Sequence, residues 1–225
     1  MRLDIDGRNC ELESGRSILD AVKKEGLDSI MLSDRPLAAQ IGGEVFNLRF
    51  TPKKDTQIHL LRYGEDMGRR VYERTLQFLL ILAMRKEFPR ARVCVRYSLG
   101  PGLFITVDGM EEPFNEEAAL KVETEMRRLV RLKLPLERRR ISIKEALSFY
   151  EQDGQADKAK LLKWRRFSYF DVYQIDGYMD YFYGEMAPDT SYADVFRVKY
   201  VHDGAVVLLM PRSDAPDVPS DYVDL

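Results

Sequence analysis

The chain has 225 residues, 45% of them hydrophobic and 32% charged, and a net charge of -2 from 35 basic and 37 acidic residues. That length fits two ordinary domains. The near-balanced charge supplies no global pull toward nucleic acid or an anionic membrane, so such binding would need a local patch.

The N-terminus, "MRLDIDGRNCELESG", lacks the apolar core of a signal peptide, and the longest apolar run, Phe78 to Met84, is far below the ~20 residues that cross a bilayer. The expected location is the cytoplasm, with no membrane partner. Nothing here sets an oligomeric state. The two cysteines, Cys10 and Cys94, are spaced neither as a metal knuckle nor as a redox pair, and each is expected as a small core residue on a strand.

The expected fold class is α+β, beginning with a small sheet-rich unit over 1–63. Leu3 and Ile5, the Asp6-Gly7 turn, then Cys10 and Leu12 spell a hairpin, because Asp-Gly tolerates the positive φ angles of a tight turn. "SGRSILDAVKKEG" follows as a short helix, capped by Ser17 or Ser14 and stopped at Gly26. "PLAAQIGGEVFNLRF" reads as strand, Gly42-Gly43 turn, strand, and "TQIHLLRY" as a last strand, so the order is β-β-α-β-β-β.

"GEDMGRR", Gly64 to Arg70, is polar with two glycines and reads as a junction. A long helix is expected from about Arg69 to Phe88, stopped by Pro89. Strands on either side of Gly100-Pro101-Gly102 come next, and then a helix capped by Asn115 with Ala119, Val122, Met126, Leu129 and Val130 as its apolar stripe. "SIKEALSFYEQDG" has capping-box spacing between Ser142 and Glu145, and "QADKAKLLKWRR" gives a short further helix. From Phe167 the chain turns aromatic and β, ending in a hairpin around His202-Asp203-Gly204. Residues 212–225 are polar, rich in proline and expected to be loose.

Chemistry-bearing motifs are sparse. No G-x-x-x-x-G-K-[ST] occurs, and no G-x-G-x-x-G opens a helix. His59 and His202 are the only histidines, and neither has a neighbouring Cys or second His to make a zinc site. Asp171, Asp176, Asp180 and Glu185 lie among many aromatics. Carboxylates in such a pocket could titrate high and act as acids or bases, but an exposed strand face explains them more simply. "RLKLPLERRR", Arg131 to Arg140, with Arg127, Arg128, Lys163, Arg165, Arg166 and the indole of Trp164, is the main basic cluster. It could bind a phosphate backbone, although a solvated helix end is the simpler reading.

Taken in order, these segments resemble the N-terminal region of threonyl-tRNA synthetases. "RLDIDGRNCELESGRSILDAV" and "LAAQIGGEVFNLRF…TQIHLL" are similar to the TGS domain, a β-grasp module, over 1–63. Residues 64–211 resemble the editing, or second additional, domain of that family and of alanyl-tRNA synthetases. The long helix, "SLGPGLFITVD" and "GYMDYFYGEMAP" stand for its helix, strand pair and late motif, with Tyr178, Asp180 and Gly184 shared. The resemblance implies metal-ligand positions at Arg74 and Phe78 on the helix and at Phe182 and Met186 in the late motif. None of these four is a normal ligand of a hydrolytic metal. The expectation is a vestigial, filled pocket, with Asp180 and Glu185 as possible ligand contacts.

The same two modules with a degraded site precede a kinase domain in a bacterial family similar to uridine kinases and phosphoribulokinases. On that resemblance, residues 212–225 would link to a kinase domain in cis. ATP and Mg would belong to that domain, and no cofactor to this segment. Three functions stay open: a non-catalytic recognition or regulatory unit for a nucleotide, an RNA end or an attached nucleoside kinase; a metal-independent aminoacyl-tRNA deacylase; and a free-standing tRNA-binding protein.

Overall fold

The computed structural model describes residues 1–164, 168–175 and 177–221. It is mixed α+β, as expected. It divides into two compact units, one formed by 1–135 with 184–225 and the other by 136–183.

The first unit opens with strands β1 (Arg2–Ile5) and β2 (Arg8–Glu11), joined at Ile5↔Arg8 by the two-residue Asp6-Gly7 turn. Both turn residues have positive φ, 50° and 84°, as a tight hairpin turn requires. Helix α1 (Ile18–Lys24) is capped by Ser17 in a reciprocal capping box with Asp20, which leaves Ser14 out of the cap. Strands β3 (Ala38–Ile41), β4 (Glu44–Phe46) and β5 (Thr56–Leu61) complete a five-stranded sheet in the order β2-β1-β5-β3-β4. The expected sequence of elements is observed, with β1 and β5 parallel at the centre. Leu3, Ile5, Ile18, Val22, Ile58 and Leu60 form its core, each at most 1% exposed.

Helix α2 runs Asp66–Glu87. It starts three residues before the expected Arg69, inside the stretch expected to be a junction. The reason is packing: Gly68 lies so close to the end of β5 that a Cβ there would meet the Arg62 carbonyl oxygen at 1.9 Å. That glycine permits close approach of helix to strand, and it is buried in the helix rather than part of a linker. Strands β6 (Arg92–Leu99) and β7 (Gly102–Asp108) flank the Gly100-Pro101 turn as expected. Helix α3 (Glu116–Leu132) is capped by the Asn115 side chain on Ala118 N–H. Its predicted stripe is buried at Ala119, Val122, Met126 and Leu129, while Val130 is only partly covered. A 3-10 turn, Thr190–Tyr192, follows, with the hairpin of β11 (Arg197–His202) and β12 (Ala205–Leu209). The second sheet has the order β11-β12-β7-β6 and is antiparallel throughout.

The second unit is a three-stranded sheet of β8 (Glu137–Ser142), β9 (Tyr169–Ile175) and β10 (Tyr178–Asp180), in the order β10-β9-β8, with helices α4 (Ile143–Gln152) and α5 (Ala156–Leu162). Ile141, Ala146, Tyr150, Ala159, Leu162, Phe170, Val172 and Met179 form its core. Strand β8 corrects an expectation: "ERRRIS" is not a solvated helix end. Four consecutive exposed positions and one buried Ile141 give no period-two signal, and pairing with β9 alone makes it a strand.

The tail also differs from expectation. Ser33 N–H donates to the Asp217 carboxylate at 3.1 Å, Ser220 is buried, and Arg197 pairs with Asp221 at 2.9 Å, so 212–221 are held against the first unit. Residues 222–225 lie outside the described residues. No described helix is long and apolar enough to cross a membrane.

Candidate functional site

The site expected from the sequence lies where α2 meets the late segment 184–195. Thr75, fully buried on α2, donates its hydroxyl to the Val71 carbonyl at 2.8 Å and accepts the Ala187 N–H at 2.9 Å. That second bond ties the late segment to the helix. One turn above Thr75 stands Phe78, and beside Ala187 stands Met186, both with no exposed surface. Burying a side chain of this size contributes about 1.5–3 kcal/mol relative to leaving it in water. Both residues are therefore apolar core, one on the helix and one in the late segment tied to it.

Arg74 neither lines an open pocket nor sends its head to solvent. Its guanidinium donates to the Glu185 carbonyl and lies over Gly184, where a Cβ would come within 2.8 Å of the arginine Cζ. The Glu185 group engaged here is therefore its backbone oxygen. Further along the segment, Tyr72 hydroxyl donates to Val195 carbonyl at 2.8 Å and accepts Val195 N–H at 2.9 Å. Burial pushes that phenol well above its ordinary pKa. Thr190 hydroxyl donates to the Leu129 carbonyl at 2.6 Å and accepts Leu134 N–H at 3.0 Å.

The N-terminal sheet grips the same segment from another direction. Asn47 Nδ2 donates to the Met186 and Ala187 carbonyls at 2.9 and 3.3 Å, and Arg49 Nε to the Pro188 carbonyl at 2.8 Å. Arg35 reaches Asp194 at 2.8 Å and the Tyr192 carbonyl at 3.2 Å. None of these clamps was expected from the sequence. The sequence places Asn47 and Arg49 in a strand, whereas β4 ends at Phe46 and both residues lie in the loop beyond it.

The second unit holds the rest of the predicted set. Phe182 is half-buried there. Asp180 is 3% exposed, which corrects the reading of these acids as an exposed strand face. Both its oxygens take Lys158 Nζ, at 2.6 and 2.7 Å, one also takes the Tyr178 hydroxyl at 2.8 Å, and the other Tyr181 N–H at 2.7 Å. Four hydrogen bonds from three donor groups fill the lone-pair capacity of one carboxylate, so Asp180 organises its own unit. Asp171 sits between Arg140 and Arg138 at 3.0 and 2.7 Å, and the hydrogen bond from Arg140 leads in holding its carboxyl below the usual range. A high-titrating acid is thus not found at Asp171. Asp176, Arg165 and Arg166 lie outside the described residues.

The remaining candidates are placed as follows. Cys10 is buried, which raises its thiol pKa, but Cys94 is exposed on β6, contrary to the core role expected of it. Arg127 and Arg128 pair with Glu123 and Glu125 on their own helix, and Trp164 is 86% exposed. His202 sits at the β11–β12 turn as expected. Among the described residues no group of three or more His, Cys, Asp or Glu is arranged to hold a metal ion.

No family model matches this chain. Curated relatives do. The threonine–tRNA ligase of Clostridium kluyveri is 25% identical over 194 residues, which is 86% of this chain and 30% of that protein. Over most of its length, this chain is distantly related to threonine–tRNA ligases. The ligase of Acetivibrio thermocellus is 29% identical over 160 residues, covering 70% of this chain and 24% of the ligase. That of Carboxydothermus hydrogenoformans is 27% identical over 175 residues, covering 74% and 26%. The chain therefore spans 24 to 30% of the length of these curated relatives. The α+β architecture and the aligned span both agree with a synthetase-related region.

Proposed function

We propose that this region is a non-catalytic recognition unit, built from a TGS-like β-grasp module and an editing-like module in which two of the former ligand positions, Phe78 and Met186, now serve as core. One observation carries the reading: Phe78 and Met186 are completely buried at the α2–late-segment contact that Thr75 and Ala187 close. The positions that the resemblance assigns to metal ligands on the helix are occupied by Arg74 and Phe78, and Arg74 is spent on backbone of the segment opposite. A hydrolytic site would need room for water and a group to activate it. Asp180, the acid shared with the family pattern, has its oxygens engaged by Lys158, Tyr178 and Tyr181, which weighs against the metal-independent deacylase.

The proposed partner in cis is a nucleoside kinase domain C-terminal to this region, with ATP and Mg belonging to that domain. Reading the coding frame beyond Leu225 checks this arm: a P-loop codon run supports it, and a stop codon removes it. The central reading is tested by incubating the chain with mischarged threonine-specific tRNA. No release above a catalyst-free control is expected, and turnover that survives a chelator would overturn it.

A further inference from the structure

One side of α2 borders a cleft of about 630 Å3 whose lining residues all belong to the first unit. Its walls come from the first turns of α2, the residue after β5, the turn between β6 and β7, and the segment that follows β12. The turn is fixed in place. Met210 N–H donates to the Pro101 carbonyl at 3.1 Å, and a Cβ on Gly102 would lie 2.6 Å from the Val207 side chain. Tyr63 closes another side. It is buried and gives its hydroxyl to the Pro211 carbonyl at 2.6 Å. Burial pushes that phenol up to about 12, so it lines the cleft as a neutral group. Arg74, Phe78 and Met186 do not line this cleft, so it is separate from the contact described above.

Charge selects the ligand. Three arginines and three acids border the cleft, and four of these six groups satisfy one another. Arg69 pairs with Asp66, and Arg212 reaches both oxygens of Asp214 at 2.9 and 2.8 Å. The other two, Arg70 and Glu73, stand three residues apart on one face of α2, where Cβ atoms lie about 5–6 Å from each other. They do not pair with each other. Among the described residues Arg70 has no ion pair, and Glu73 takes only the Gln77 amide, at 2.9 Å on one oxygen. One guanidinium and one carboxylate are therefore offered side by side. Balanced charge gives a polyanion no net attraction to the cleft. A small molecule carrying both signs meets both groups at once, through charge-assisted hydrogen bonds.

We propose that this cleft binds a small zwitterion, with its carboxylate on Arg70 and its ammonium group on Glu73. The site needs neither hydrolysis nor a metal, and it stands whatever the α2–late-segment contact does. Because Arg212 and Asp214 form one wall, the ligand also covers the start of the segment that Ser33 and Arg197 pin further on.

The test uses the full chain and free α- and ω-amino acids as probes, titrated one at a time by calorimetry at neutral pH. At least one should bind saturably. Arg70→Ala and Glu73→Gln should each weaken that binding by about tenfold, the loss of one charge-assisted hydrogen bond. Arg70 is exposed and Glu73 half-buried, so both variants should fold, and circular dichroism verifies it. Acetylating the amino group of the probe should weaken binding to the parent but not to Glu73→Gln, and converting its carboxylate to the amide should do the same for Arg70→Ala. Hydrogen exchange of the 210–214 amides should slow when the probe is bound. Trp164→Ala, in the other unit, should bind as the parent does. Absence of binding by every amino acid, equal binding of the acetylated and amidated probes to the parent, or unchanged exchange at 210–214 would each overturn the proposal. Inorganic phosphate binding at Arg70 where no amino acid binds would also overturn it, by making the cleft a simple anion site.

Discussion

At Gly184 the backbone has φ +103°, a region that side chains rarely adopt, and the Arg74 guanidinium occupies the place of a Cβ. Two penalties therefore fall on one residue. Gly184→Ala should destabilise the chain by about 1–3 kcal/mol, from backbone strain and overpacking together. Adding Arg74→Ala removes the contact and leaves the strain, so the double variant should recover part of the loss. Urea midpoints for the two single variants and the double variant measure this, and strictly additive losses would show that arginine and glycine do not meet. In sequence Gly184 stood out only as an identity shared with a family motif. The role found for it depends on a side chain more than 100 positions upstream.

Between elements, the link from the first hairpin to the start of α2 is a histidine. His59 on β5 places Nε2 2.7 Å from Glu65 and Nδ1 2.8 Å from Asp6 in the β1–β2 turn. Arg62 adds a contact to Asp6 at 3.1 Å, and its backbone N–H donates to Glu65 at 3.0 Å. The hydrogen bond to Glu65, then that to Asp6, raises the imidazole pKa above its ordinary 6.5. A raised folded pKa means that the folded chain holds the proton more tightly. The resulting stabilisation is fully present below about pH 6.5 and fades as pH rises through the folded value. Because the ring is half exposed, the effect should be modest. The urea midpoint of the parent should fall relative to His59→Gln over that rise. Parallel pH curves for the two proteins would rule this linkage out.

Over the whole first unit, the N-terminal sheet and the late segment act as one body. Asn47, Arg49 and Arg35 hold 186–194, and the Tyr63 hydroxyl donates to the Pro211 carbonyl at 2.6 Å. Arg35 is 9% exposed on its side chain, so deleting it strands polar groups that it now satisfies. Arg35→Ala should cost about 1–3 kcal/mol. Hydrogen exchange should show β3, β5 and the 186–195 amides losing protection together. If the strands kept their protection while the late segment alone opened, the clamp would not couple them.

Local sequence encodes most elements of this protein and their order, because periodicity, caps and turn glycines act between near neighbours. The Asp6-Gly7 and Gly42-Gly43 turns, the Ser17 and Asn115 caps and the β6–β7 pair all follow from nearest neighbours. It also determined the relatedness to threonine–tRNA ligases, since that lies in the string of residues. Tertiary structure decided what no local pattern encodes: that "ERRRIS" pairs as a strand, that Gly68 admits a carbonyl rather than marking a linker, and that Asp180 is buried beneath three donor groups. The candidate site divides the same way. Its apolar residues were legible as core formers, whereas the use of Arg74, Asn47 and Thr75 was not. A hydrogen bond between residues 100 or more positions apart leaves no period in the chain, and it exists only once the backbone that accepts it has been folded into reach.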